Sequence, residues 1–188
     1  MSIPELYIGQ HRTQQDLENI IRLQSENFEN VVTPDEARNE GFVTIVYDVP
    51  ALGKICGPYR HIIAADGEIL AGYALVLLQS AVPNVPFIAP MVNMIKGLKF
   101  KGADLTEENW FIMGQVCVAK PYRGKGVVQA MYDSMKNYYR HTFQYIITEI
   151  SGRNQRSMHA HQKVGFQLLH SFYDDQGEVW HIVILPLF

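Results

Sequence analysis

The fold of this chain is decided by the segment Gly114-Gln115-Val116-Cys117-Val118-Ala119-Lys120-Pro121-Tyr122-Arg123-Gly124-Lys125-Gly126-Val127-Val128. Its pattern predicts a β-strand, a tight loop with two glycines separated by one residue, and the first turn of a helix. Such a loop directs backbone N–H groups and the positive end of a helix dipole at one point. The segment is therefore typical of a site that binds a diphosphate.

Composition places the chain among ordinary globular proteins. Of its 188 residues, 47% are hydrophobic and 19% are charged, which predicts a single domain over residues 1–188 with a substantial core. The net charge of −3 lacks the basic footprint of nucleic-acid binding. We therefore expect no nucleic-acid partner.

Cysteine usage and apolar runs bear on metal binding and location. Cys56 and Cys117 form neither a disulfide framework nor a C-x-x-C pair, so we expect no metal. The start of the chain, Met1 to Glu5, lacks the features of a secretory signal. The longest apolar run, Ile69 to Leu78, is about half a membrane span. We expect a cytoplasmic protein without membrane contact.

The first half of the chain predicts helices followed by a hairpin. Apolar residues recur at helical spacing from Gln14 to Phe28, and Thr33-Pro34-Asp35-Glu36 is typical of a capping box. Asp66-Gly67 predicts a turn between strands at His61–Ala65 and Glu68–Leu78.

A proline-rich connection follows, from Ala81 to Thr106. Its prolines exclude a central strand, although Met91 to Leu98 is compatible with a short helix. A connection of this length is either functional or a disordered flap. The sequence leaves both interpretations open.

The second half alternates strands and helices. Strands are predicted at Asn109–Val118 and Tyr145–Ile150, a helix at Asn154–Val164 that ends at Gly165-Phe166, and a final hairpin over Phe166–Tyr173 and Val179–Leu187. The helix after the glycine loop has an apolar face formed by Val127, Val128, Met131, Tyr132, Met135, Tyr138 and Tyr139. This order predicts a mixed α/β fold.

Two motifs carry the chemistry. In the first, Gly124 and Gly126 permit a tight turn, and Arg123 can bind a phosphate oxygen. The spacing matches neither a Walker loop nor the G-x-G-x-x-G fingerprint. In the second, a helical stripe joins Asn154, Ser157, Met158 and His161. The opposite side of that helix is also polar, so the pattern leaves open which face is buried.

Together the two motifs resemble the GNAT superfamily of N-acetyltransferases, from Asn109 to Phe166. The resemblance implies a single, mostly antiparallel sheet of six or seven strands flanked by helices. A parallel pair of strands would splay apart to form a cleft for CoA. The loop departs from the common [Gln/Arg]-x-x-Gly-x-[Gly/Ala] pattern. If the pattern ends at Gly126, Pro121 stands at its first position, and if it starts at Arg123, Val128 stands at its last position.

The resemblance also implies where acetyl-CoA binds. Its pantetheine arm would pair with the end of one strand, and its diphosphate would bind the backbone of the glycine loop. The start of the second motif would contact the same cofactor. The expected cofactor-binding residues are Val116, Cys117, Val118, Arg123, Gly124, Lys125, Gly126, Val127, Val128, Asn154 and Ser157.

Transfer of the acetyl group to an amine calls for a general base and a general acid. Glu149 is the candidate base: it is the charged residue of an apolar strand and stands five residues before Asn154, as in acetyltransferases of ribosomal-protein N-termini. The alternative is a glutamate on the solvent side of the strand. His161 occupies the position of the tyrosine acid of those enzymes, and the alternative is a packed structural histidine. Tyr122, Tyr132 and Tyr138 rank lower as acids.

The acceptor is an amine of a small molecule or a protein, and its pocket is expected near residues 30–59 and 81–101. No charged cluster selects a substrate class. One alternative function is a non-catalytic sensor that binds CoA or acyl-CoA; another is a protein that binds nucleotide phosphates. A homodimer is left open.

Overall fold

The computed structural model describes residues 5–105 and 109–188. Residues 1–4 and Thr106, on which two of the expectations above partly fall, lie outside this range. The helices are α1 (Gln14–Glu26), α2 (Pro34–Glu40), α3 (Val49–Ile55), α4 (Ala89–Lys96), α5 (Val127–Tyr139) and α6 (Gln155–Val164). The strands are β1 (Tyr7–Gln10), β2 (Ile62–Asp66), β3 (Ile69–Leu77), β4 (Lys99–Phe100), β5 (Ala103–Asp104), β6 (Trp110–Val118), β7 (Tyr145–Ser151), β8 (Gln167–Tyr173) and β9 (Val179–Pro186).

Capping boxes start the first two helices. In α1 the Thr13 hydroxyl accepts a hydrogen bond from the Asp16 N–H, and the Asp16 carboxylate accepts one from the Thr13 N–H. Thr33 and Glu36 make the same exchange at α2, as the sequence predicted. Each box satisfies two N–H groups that have no partner within the helix.

The expected sheet is confirmed. Within the described residues it has seven strands in the order β1-β2-β3-β6-β7-β9-β8, with the short pair β4 and β5 beside it. Only β6 and β7 run parallel in this part of the chain. The hairpin between β2 and β3 turns at Asp66–Ile69, as the Asp-Gly pair predicted.

The parallel strands separate partway along their length. They pair from Trp110 with Tyr145 to Ile112 with Ile147, after which both strands continue. On its other side β6 pairs Met113 with Val76 and Val116 with Ala74, so β6 carries one extra residue there. A bulge of this kind bends and twists its strand. It explains why β6 turns away from β7 just beyond Ile112.

Apolar clusters cover both faces of the sheet. One cluster includes residues of α1, α3 and α4, and the other includes residues of α5. Along β7, Tyr145 and Ile147 belong to the first cluster, whereas Ile146 and Ile150 belong to the second. Because side chains alternate along a strand, Glu149 lies on the α1 face of the sheet.

One open alternative is decided and one expectation is corrected. The connection after β3 forms 3-10 turns at Gln79–Asn84 and Pro86–Ile88, then α4 and a small hairpin, so up to Leu105 it is ordered structure and not a flap. Tyr138 does not belong to the buried face of α5, because its side chain is 49% exposed. Tyr139, which was predicted on the same face, is buried and contacts Tyr59 and Phe111. No helix within the described ranges is long and apolar enough to cross a membrane.

Candidate active site

A cleft of about 380 Å³ lies where β6 and β7 separate, and residues of α5 and α6 line it together with Asn27 at the end of α1. It is lined by the end of β6, the glycine loop, helix α6 and the segment 40–43. The two sequence motifs therefore meet in one cavity. Of the predicted site residues, the cleft brings together Val116, Cys117, Val118, Arg123, Gly124, Gly126, Val127, Val128, Asn154, Ser157 and His161.

Two predicted residues lie elsewhere. Lys125 is not among the residues that line the cleft, and its ammonium lies 5.8 Å from the centre of the Tyr122 ring. Glu149 faces the α1 side of the sheet, as the alternation of side chains along β7 requires. The cleft and the candidate base are thus separated by the gap between the two strands.

The glycine loop has the geometry of an anion site. Gly124 and Gly126 adopt φ values of 72° and 81°, a region that favours glycine. Gly126 is the N-cap of α5, and no side chain of the described residues caps this end. The first-turn N–H groups of α5 have no acceptor within the helix. They remain available to a bound anion.

The Arg123 side chain is bound by other residues of the protein. Its Nη1 donates to Glu40 Oε2 at 2.7 Å and its Nη2 to Asn27 Oδ1 at 2.6 Å. Its Nε donates to the carbonyl of Val118 at 2.8 Å. The guanidinium therefore ties the loop to α1 and α2, a set of partners that differs from the expected phosphate contact.

Asn154 and Ser157 form the N-terminal turn of α6. The Asn154 Oδ1 accepts a hydrogen bond from the Ser157 N–H at 3.0 Å, and Asn154 is the N-cap. The Asn154 Nδ2 donates to the carbonyl of Phe42 at 3.4 Å. Asn154 thus lines the cleft and also holds the segment that follows α2.

His161 has protein partners at both ring nitrogens. Its Nδ1 lies 2.7 Å from the Ser157 carbonyl, which can only accept, so Nδ1 carries the proton. Its Nε2 then accepts from the Tyr132 hydroxyl at 2.7 Å. His161 is 1% exposed, and burial lowers its pKa to about 4. These contacts match the packed structural histidine raised above as an alternative.

His161→Phe tests that interpretation through stability. In the unfolded chain this histidine gains a proton near its ordinary pKa of 6.5, whereas in the folded protein it stays neutral down to about pH 4. The free energy of unfolding therefore falls as the pH drops through this window. Between pH 7 and pH 5, the titration of His161 lowers the free energy of unfolding by about 2 kcal/mol.

We expect the pH-dependent loss of stability to be smaller by that amount in His161→Phe, measured by denaturant unfolding at both pH values. His141→Gln, at an exposed position after α5, is the control and is expected to leave the loss as it is in the wild type. Equal losses in His161→Phe and the wild type would contradict the buried, neutral state of His161.

Glu149 combines partial burial with the absence of a partner. Within residues 5–105 and 109–188, no hydrogen bond or ion pair reaches its carboxylate. Burial, which disfavours the charged form, raises its pKa to about 7. A carboxyl group with this pKa exchanges protons readily at neutral pH.

The sequence did not identify the segment 40–43 as part of the cleft. Glu40, Gly41, Phe42 and Val43 all line it, although this stretch was assigned to the acceptor side. The sequence did offer a local signal, because Gly41 follows the predicted helix. In the structure this glycine has a φ of 77°. Its partner could not be read from the sequence: a Cβ on Gly41 would lie 3.2 Å from Asn154 Oδ1.

Acidic, cysteine and histidine side chains are the groups that most often hold metal ions in proteins. The described ranges contain no group of three such side chains placed to hold a metal ion. Both cysteines are free, and burial raises the pKa of Cys117 to about 11. A thiol with this pKa is a poor nucleophile at neutral pH.

Similar folds occur among solved structures. The chain superposes on an acetyltransferase of the GNAT family from Streptococcus agalactiae with a TM-score of 0.64 and 14% identity, covering 99% of this chain and 98% of the other. It matches ribosomal-protein-S18-alanine N-acetyltransferase from Escherichia coli with a TM-score of 0.61 and 12% identity, over 97% and 94% of the chains. A chain of the NatC complex bound to Gag peptide and CoA gives 0.64 and 13%, over 98% and 99%.

Comparison with curated protein sequences gives no match. The sequence profile of the acetyltransferase (GNAT) family matches residues 17–166, which include both motifs and the splayed strands. This match covers most of the chain and agrees with the seven-stranded sheet. The chain therefore belongs to the GNAT family of acetyltransferases.

Proposed function

We propose that this protein transfers the acetyl group of acetyl-CoA to an amine by direct attack within a ternary complex. The observation that carries the proposal is the gap between β6 and β7. A cleft bordered by α5 and α6 opens there, and the carboxyl group of Glu149, which has no partner among the described residues, lies on the α1 face. The two reactants would meet in this gap from opposite faces of the sheet.

The cleft supports the placement of the cofactor. The diphosphate would bind the N–H groups of the loop from Gly124 to Val128. The pantetheine arm would lie along Val116 to Val118, where β6 has lost its parallel neighbour and its backbone can pair with an amide. The expected role of Asn154 and Ser157 is to line the same arm from α6.

The chemistry requires one proton to be removed and another to be supplied. The amine nitrogen attacks the thioester carbonyl, and its proton passes to the Glu149 carboxylate. The C–S bond then breaks, and the CoA thiolate leaves. Backbone N–H groups near Val116–Val118 would stabilise the negative oxygen of the intermediate.

His161 has no part in the proposed proton transfers. Its Nδ1 proton is donated to Ser157 and its Nε2 lone pair is occupied by Tyr132, so it has no free group to offer the sulfur. We infer that the thiolate takes its proton from water, since a thiol has a pKa of about 8.5 and is mostly protonated at neutral pH. The activity of His161→Phe tests this: a pH–rate profile like that of the wild type supports it, and a profile that differs from that of the wild type contradicts it.

Cofactor binding gives the first measurement. At a CoA concentration of about 100 times its Kd, ligand linkage adds about 2.7 kcal/mol to stability. For a domain of this size we expect Tm to rise by about 5–10 °C. Stabilisation by ATP and not by CoA would instead favour a nucleotide-phosphate binder.

Turnover gives the second measurement. Thiol release from acetyl-CoA is followed across a panel of small amines and peptides with free N-termini. Amine-dependent release supports the acetyltransferase. Binding of acetyl-CoA without release for any amine would favour the sensor.

A further inference from the structure

Helix α2 and the residues after it, 34–43, form what we call the acidic strap. Glu40 Oε2 lies 2.7 Å from Arg123 Nη1 and 3.9 Å from Arg156 Nη2. Glu36 forms an ion pair with Lys120. The strap therefore presents two carboxylates to three basic side chains at the mouth of the cleft.

Those basic side chains surround the loop that is expected to hold the phosphates. Lys120, Arg123 and Arg156 line a depression next to Gly124, and Glu36 and Glu40 line the same depression. Hydrogen bonding from Arg123 lowers the pKa of Glu40, so this carboxylate is charged at neutral pH. A diphosphate placed here would meet two negative charges at short range.

The strap also engages two of the side chains that the sequence predicted for cofactor binding. The Arg123 guanidinium is held by Glu40, and the Asn154 amide donates to the carbonyl of Phe42. The same movement would release the Asn154 amide and separate Arg123 from Glu40, while Asn27 and the Val118 carbonyl continue to hold the guanidinium. This arrangement links the strap to the cofactor site by a second, independent set of contacts.

Little apolar packing holds α2 in place, whereas Val43 at the end of the strap is buried and its backbone pairs with Asn27 and Glu29. Among the α2 side chains that the structure describes, none belongs to either core cluster. The Glu36–Lys120 pair is exposed at both side chains, and such pairs contribute little to stability, while in the Glu40–Arg123 pair the glutamate is 38% and the arginine 12% exposed. Displacement of α2 is therefore inexpensive compared with opening the core.

We infer that the acidic strap is an intramolecular competitor of the cofactor phosphates. In the free protein, Glu36 and Glu40 neutralise the basic side chains at the mouth of the cleft. When CoA binds, its phosphates replace these carboxylates, and the strap moves away from Arg123 and Asn154. The inference rests on the proposed cofactor site.

Glu40→Gln tests the competition while preserving the shape of the side chain. We expect its Kd for CoA, measured by calorimetry, to be about fivefold lower than that of the wild type, the ratio given by about 1 kcal/mol. Pantetheine, which lacks phosphates, is expected to bind both proteins equally. Glu18→Gln, an equal change of charge on α1, is expected to leave both affinities unchanged.

The outcomes separate this inference from the proposed function. An unchanged or weaker affinity of Glu40→Gln for CoA overturns the competition while leaving the cofactor site intact. Absence of CoA binding by the wild type overturns the cofactor site and the strap together. Hydrogen exchange gives a second readout: amides of residues 36–42 are expected to exchange faster with CoA bound, and slower exchange contradicts displacement.

Discussion

Glu149→Gln is expected to lower kcat by at least about 100-fold, the lower end of what a general base contributes. Glutamine has nearly the same shape but cannot accept the proton of the attacking amine. The Kd for CoA is expected to stay unchanged, because Glu149 lies outside the cleft on the other face of the sheet. Initial rates of thiol release and calorimetry measure the two quantities.

The pH dependence of the same reaction identifies the group that titrates. A base acts in its ionised form, and burial raises the pKa of Glu149 to about 7. The wild-type kcat/KM is therefore expected to rise up to about pH 7, and this inflection is expected to disappear in Glu149→Gln. Glu26→Gln, an exposed change at the end of α1, is the control. Normal turnover of Glu149→Gln would remove Glu149 as the base.

The buried carboxyl group also has a cost in stability, with a defined sign. The folded protein holds the Glu149 proton up to about pH 7, whereas the unfolded chain releases it near 4.5. The free energy of unfolding consequently falls as the pH rises through this window. Above about pH 7, Glu149→Gln is therefore expected to be more stable than the wild type. A low kcat in a variant of this stability reflects the loss of the base and not unfolding.

Gly124→Val is expected to weaken CoA binding by at least about 100-fold. The φ of 72° disfavours a β-branched residue, so the loop shifts and its N–H groups no longer converge on the phosphates. Loss of two hydrogen bonds to a charged group, at about 1.5–3 kcal/mol each, accounts for a change of this size. Calorimetry with CoA measures it.

Gly177→Val is the matched control for this substitution. Gly177 has a φ of 78° in the turn between β8 and β9, and a Cβ there, as at Gly124, meets no atom within 4 Å. Both variants therefore carry the same backbone strain in open space. Gly177→Val is expected to lose stability but to keep its affinity for CoA. An unchanged affinity in Gly124→Val would refute the diphosphate site.

Much of the fold could be predicted because its signals are local. The Asp66-Gly67 turn, the Thr33–Glu36 capping box and the Gly165 helix end each depend on a few neighbouring residues, and all three are present. Helix ends were less accurate, since α4 begins two residues before the predicted Met91. Tyr138 was misassigned because the wide apolar stripe of α5 extends beyond the area that the sheet covers.

The sequence by itself determined the two motifs, the order of the strands and helices, and hence the family, because spacing along the chain controls each of these. Only the tertiary structure decided the partners of the site residues. Arg123 meets Glu40 across 83 positions, and Asn154 meets Phe42 across 112. The face of Glu149 likewise depends on strand register and on the bulge in β6. Such contacts arise from competition among distant charged and polar groups, which no local pattern encodes.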